Sequence, residues 1–127
     1  MVELLFSDIT EKIIGAAFGV HNALGKGLSE KTYENALALK LLNLGLRISQ
    51  QKELPVVFEG QKVGEQVVDL LVEESVVVEI KAVQNISKSH EAQLLGYLKN
   101  THFQVGLLLN FGDRVESKRF VYSIDGR

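Results

Sequence analysis

The chain has 127 residues, 46% hydrophobic and 24% charged, with a formal net charge of −2 and no cysteine. This length suits one domain over residues 1–127 whose core needs no covalent staples, and the composition is that of a soluble globular protein. The missing thiols exclude disulfides and thiolate metal sites and fit a reducing, cytoplasmic setting.

His21, His90 and His102 are too dispersed for a zinc pattern. Any metal here is expected to be held by oxygen, which points to Mg2+ or Mn2+. The acidic balance argues against tight non-specific binding of nucleic acid, yet leaves room for a local basic patch. No apolar run reaches membrane-span length, and the start MVELLFSDIT lacks a basic region followed by a long apolar core. No membrane partner is expected.

Asp8 and Glu11 have the spacing of a helix-opening capping box. Ile9, Ile13, Ala16, Ala17, Val20 and Leu24 then recur at helical spacing as one buried stripe. Gly25-Lys26-Gly27 stops this helix. As a phosphate-binding signal that Gly-x-Gly is weak, since no strand precedes it. Ser29 can cap a second helix, Glu30 to Leu44, closed by Gly45, with Tyr33, Leu37, Leu41 and Leu44 as its apolar stripe. Glu30 lies three residues before Tyr33 and shares that face. On spacing alone it either complements the helix dipole or reaches into a polar site beside the core.

From Arg47 to Glu59 the pattern turns strand-like and breaks at Pro55, and Glu59-Gly60-Gln61-Lys62 reads as a turn. The centre of the chain follows: VGEQVVDLLVEESVVVEIKAV, from Val63 to Val83. Two β-branched runs, Val67–Val72 and Val76–Val83, flank the acidic Glu73-Glu74-Ser75 and predict a hairpin of interior strands. Asp69, Glu79 and Lys81 are out of place there, because an unpaired buried charge costs several kcal/mol. Side chains alternate along a strand, so Glu79 and Lys81 share a face. A three-residue connection, Glu73 to Ser75, sets Asp69 opposite Glu79 on it. A two-residue one would separate the carboxylates.

Ser87 can cap a third helix, Lys88 to Asn100, with His90, Gln93, Leu94 and Tyr97 on one face. Gln93 and Tyr97, a turn apart, either address one point or are respectively a surface residue and a half-buried aromatic. Phe103 to Leu109 reads as a buried strand ended by Asn110-Phe111-Gly112. Lys118 to Ser123 reads as a last strand, before a frayed Asp125-Gly126-Arg127. The order α-α-β-β-β-α-β-β predicts an α/β fold, a mixed central sheet flanked by helices.

Carboxylates on adjacent strands suit a hard divalent cation. Such an ion acidifies water and offsets charge on a phosphodiester under attack. Lys81, on their face, suits orientation of the water or stabilisation of the oxyanion. The spacing D-x(9)-E-x-K is a moderate signal by itself.

Gly27-Leu28-Ser29-Glu30-Lys31-Thr32-Tyr33 with Glu34-Asn35-Ala36-Leu37 resembles the motif of the GxxExxY proteins, a family of the PD-(D/E)XK nuclease superfamily. The resemblance runs from about Ile9 to Phe111. It takes in His21-Asn22-Ala23-Leu24-Gly25, Asp69-Leu70-Leu71-Val72, Val78-Glu79-Ile80-Lys81-Ala82, Gln93-Leu94-Leu95-Gly96-Tyr97-Leu98 and Asn110-Phe111-Gly112. It implies a restriction-endonuclease-like core and hydrolysis of phosphodiester bonds in DNA or RNA. It implies that Asp69, Glu79 and the Ile80 carbonyl ligate Mg2+ or Mn2+, that Lys81 is the catalytic lysine, and that Glu30 completes the site. Gln93 and Tyr97 resemble a Gln-x-x-x-Tyr element that contacts nucleic acid, while His21 reads as structural. Val68 stands where the superfamily name has Pro.

A core this small calls for an accessory protein, a homodimer or a special substrate end to give specificity. The nuclease reading expects three carboxylates within one ion's reach and a concave approach lined by some of Lys26, Lys31, Lys88 and Lys99. The alternative is a non-catalytic nucleic-acid- or protein-binding module that retains the fold. A third reading, a buried ion-pair cluster without metal, expects Lys81 to bridge both carboxylates and is disfavoured by its surplus negative charge.

Overall fold

The computed structural model describes residues 5–122. The expected tail Asp125-Gly126-Arg127 and the Ser123 end of the last strand lie outside them. Three helices and five strands follow in the expected order: α1 Ser7–Leu24, α2 Glu30–Asn43, β1 Ile48–Phe58, β2 Gln61–Val72, β3 Val76–Lys81, α3 Lys88–Lys99, β4 Val105–Phe111 and β5 Val115–Val121. The strands form one sheet in the order β1-β2-β3-β4-β5. Only the β3–β4 pair is parallel, and α3 makes the crossover that a parallel pair requires.

The helices divide between the faces. Ile13, Ala17, Tyr33, Leu37 and Leu41 of α1 and α2 pack on Leu70, Val78, Ile80, Leu107 and Leu109. Leu94, Tyr97 and Leu98 of α3 pack on Val68, Leu71, Val77 and Leu108. With both faces covered, β4 is buried throughout and β3 as far as Ile80, which is why both read as largely apolar runs. Gly106 lies beneath α3, where a Cβ would stand 2.9 Å from Leu94 Cδ1. The bare backbone at Gly106 lets α3 settle onto β4.

Several boundaries differ from expectation. Helix α1 starts at Ser7, after a left-handed Phe6 (φ 56°) with no side-chain cap, so Asp8 and Glu11 form no capping box. Asp8 sits in the first turn, where it complements the dipole. Leu24, the last residue of α1, and Leu44, just after the end of α2, are exposed. Pro55 does not break β1. That strand is the sheet edge, so Pro55 pairs with Glu65 without needing an outward N–H. Val67 is exposed rather than interior, as is most of β2 before it, because this half of the hairpin lies outside the helical cover. Asn110 and Phe111 belong to β4 rather than ending it, and β5 begins at Val115.

Tyr33 fixes the entry to α2. Its ring stacks on Phe111 at a centroid distance of 4.6 Å, and His21 stacks beside both. The Tyr33 hydroxyl donates to the Gly25 carbonyl at 2.6 Å and accepts from the Leu28 N–H at 3.2 Å, closing the turn that carries Gly25 and Gly27 at positive φ. His21 Nε2 bonds the Gly112 carbonyl at 2.9 Å, a structural role as expected. Tyr33→Phe keeps the stack but leaves two backbone groups without their partner. We expect a loss of about 1–2 kcal/mol in urea unfolding, with an unchanged m-value.

Candidate active site

The register Val72↔Val76, Leu71↔Val77, Leu70↔Val78 closes the hairpin through Glu73–Ser75, the three-residue connection expected. Continued one step, it sets Asp69 opposite Glu79. At that step the ladder stops. β2 stays paired with β1, β3 stays paired with β4, and the two part company. Side chains take over the bonds that the ladder gives up. Glu79 Oε1 accepts the Asp69 N–H at 3.1 Å, and Asp69 Oδ2 accepts the Ile80 N–H at 2.7 Å. Each carboxylate is thereby locked by the other strand's backbone.

Glu79 is 6% exposed. Burial away from water, and then the negative charge of Asp69, push its carboxyl up from 4.5 to about 8, against the smaller opposing effects of the Asp69 N–H and Lys81. Lys81 therefore stands near enough to act on Glu79. Among the described residues it forms an ion pair with neither carboxylate. The bridging lysine expected of a metal-free ion-pair cluster is not found. Two carboxylates with an oxygen-only donor set, one of them disfavoured as a bare anion, suit a hard divalent cation.

The helix acids divide. Glu30 is exposed, and its Oε2 accepts the N–H of Ala82, just beyond Lys81, at 3.2 Å. Glu34, one turn on, is the buried acid at 3% exposure. Its oxygens accept from Gln50 Nε2 and Gln51 Nε2, both at 2.8 Å, and it pairs with Lys31 at 3.3 Å. Gln51 Nε2 also donates to Asp69 Oδ1 at 3.2 Å. Among the described residues no three acids or histidines converge tightly enough to hold one ion, so the expected three-carboxylate cluster is not assembled here.

Sequence reasoning missed Glu34, Gln50 and Gln51. Glu34 carried a signal, since it lies one turn after Glu30 on the same helix face. The glutamines carried none.

Across the sheet, Gln93 Nε2 donates to the Tyr97 hydroxyl at 3.1 Å, so these two address each other. Tyr97 is buried. Its phenol is raised above the usual range by burial and then by the charges of Glu79 and Asp69, so it lies within reach of their field. Ser87 and His90 form the capping box of α3, giving His90 a structural task that spacing did not reveal. Lys88 opens the same helix. A cavity of about 430 Å³ adjoins the end of β3, lined by Lys26, Gly27, Leu28, Ala82, Gln84 and Asp113 among others. Of the four lysines expected at a concave approach it holds Lys26 alone, paired with Asp113 at 3.2 Å.

The family model of the PD-(D/E)XK nuclease superfamily matches residues 7–120. The crystal structure of SSO0001 aligns with a TM-score of 0.50 and 19% identity, covering 89% of this chain and 77% of that one. An alkaline exonuclease, LHK-Exo from Laribacter hongkongensis, aligns with a TM-score of 0.51 and 13% identity, covering 89% and 82%. Such identities speak to the fold alone, an α/β restriction-endonuclease-like core. A search of curated proteins gives no significant match.

The raised Glu79 carboxyl makes stability depend on pH. The folded chain keeps a proton that the unfolded chain releases between 4.5 and about 8. Metal-free stability is therefore full below that window and falls as pH rises through it. Glu79→Gln keeps the acceptor for the Asp69 N–H and removes the titration. In EDTA, the wild-type melting temperature is expected to fall by several degrees more than that of the variant between about pH 5 and about pH 9.

Proposed function

The chain belongs to the PD-(D/E)XK nuclease superfamily, and from that premise we propose that it hydrolyses phosphodiester bonds of DNA or RNA with Mg2+ or Mn2+ held by Asp69 and Glu79. The observation that carries this reading is the reciprocal locking of those two carboxylates where β2 leaves β3. Each spends one oxygen on the opposite backbone, and the second Asp69 oxygen, which also takes the Gln51 amide, keeps a lone pair for a cation. The cation supplies Lewis-acid chemistry there, acidifying water and offsetting charge on the phosphoryl group.

The rest falls to the chain. Lys81, which pairs with neither carboxylate among the described residues, orients the attacking water or donates to the developing oxyanion. The Ile80 carbonyl, flanked by Glu79 and Lys81, is a further oxygen ligand. Glu30 completes the site from α2, beside Ala82. Gln93, Tyr97 and Lys88 on α3 contact the nucleic acid from the opposite face. Within the superfamily the chain sits with the GxxExxY proteins, on the motif from Gly27 to Tyr33 whose tyrosine closes the turn before α2. The cysteine-free composition suits work in a cytoplasmic, reducing compartment. An accessory protein or a second copy would supply the specificity that so small a core lacks.

The second reading is a non-catalytic module that keeps the fold and binds nucleic acid or protein. It draws on the lack of three convergent acids among the described residues. Calorimetry with Mn2+ and Mg2+, beside cleavage of single- and double-stranded DNA and RNA, separates the two. Asp69→Asn is expected to abolish ion binding. Lys81→Ala is expected to keep it and to lose about 100-fold or more in cleavage rate. A folded wild type that neither binds either ion at millimolar concentration nor cleaves any substrate overturns the nuclease reading.

A further inference from the structure

Successive strand residues point to opposite faces, yet Gln50 and Gln51 both reach the one carboxylate of Glu34. The break in alternation lies in the backbone. Gln51 is left-handed, φ 50°, between the pairs Gln50↔Leu70 and Lys52↔Val68, and so directly across β1–β2 from Asp69. A non-glycine residue in that conformation costs about 1–2 kcal/mol. The return is a single amide nitrogen with two acceptors: Glu34 Oε1 at 2.8 Å and Asp69 Oδ1 at 3.2 Å.

The far end of this chain is firm. Glu34 is buried on α2, held also by Gln50 and Lys31. The near end is the Asp69 oxygen left over after Oδ2 has taken the Ile80 N–H. With one oxygen fixed by β3 and the other by Gln51, the carboxylate of Asp69 has no rotation left to choose.

We infer that Gln51 is a positioning residue, which ties the metal-binding carboxylate of Asp69 to the buried Glu34 and so sets the affinity for the cation. The inference rests on the proposed metal site. Glu34 acts through Gln51 rather than as a ligand, and α2 thereby reports to the site by a route separate from Glu30. Outer partners of this kind are worth about 10–100-fold in metal affinity.

The test is Mn2+ calorimetry on wild type, Gln51→Gly, Gln51→Ala, Glu34→Ala, Glu34→Gln and the Gln51→Gly/Glu34→Ala double variant. Asp69→Asn serves as the control, and each protein is checked for folding by thermal melting. Glycine accepts φ 50° without strain, so Gln51→Gly repairs any purely backbone role while removing the amide. Gln51→Gly and Glu34→Ala are each expected to weaken Mn2+ by about 10–100-fold, and the double variant to be no weaker than the worse single one. Glu34→Gln keeps an oxygen for Gln51, while the exposed Gln50 can turn its own carbonyl to the new amide, so affinity should stay within a few-fold of wild type. Cleavage by Gln51→Gly should recover at higher Mn2+, with KM for the nucleic acid unchanged.

Wild-type affinity in Gln51→Gly overturns the inference and leaves the metal site standing. So does a Glu34→Gln as damaged as Glu34→Ala, since Glu34 would then be a ligand itself. A folded wild type without Mn2+ binding overturns the metal site and this inference together.

Discussion

The molecule depends on the point where β2 stops pairing with β3. A sheet interior satisfies backbone N–H groups by continuing its ladder, and leaving one unpaired costs about as much as a lost hydrogen bond. Here the Asp69 and Ile80 N–H groups are satisfied by carboxylates from the opposite strand. The strands can separate without orphaning either group. The same arrangement keeps two acids together against their repulsion. β4 on one side and β1 on the other hold the parted strands in place, so the gap belongs to the sheet rather than to a loop.

The helices serve that gap from both faces. On one, the stack of Tyr33, Phe111 and His21 locks the turn before α2, and with it the height of Glu30 and Glu34. Glu30 reaches the end of β3, and Glu34 reaches the glutamines of β1. One helical turn thus contacts two strands on either side of the divergence. On the other face, Gly106 lets α3 lie close enough for Tyr97 to feel both carboxylates. The crossover that makes β3 and β4 parallel is also the helix that lines the site.

What the sequence made legible follows from what each pattern must obey. The period of two, with a three-residue connection, placed Asp69 opposite Glu79, because a one-residue slip would turn the core outward. The largely apolar runs of β3 and β4 announced strands covered on both faces. Several misreadings fall on β1 and the first half of β2. An edge strand tolerates the proline at position 55, and the left-handed Gln51 has no signature in a residue other than Gly, Asn or Asp. Glu34 was legible as a partner of Glu30 in spacing, but an acid on a helix is ordinarily solvated, so its burial shows only once β1 is in place.

The charge pattern around the gap decides how a substrate would be held. Lys26 is neutralised by Asp113 and Lys31 by Glu34, and Lys118 lies on Glu91. Together with a net charge of −2, these pairs leave little long-range field to draw in a polyanion, and exposed pairs are screened by salt in any case. The proposed function therefore relies on short-range contacts, from Lys81 within the site and from Gln93, Tyr97 and Lys88 on α3. On the proposed reading, a phosphodiester would be selected by its fit at the Asp69 and Glu79 carboxylates more than by attraction from solution.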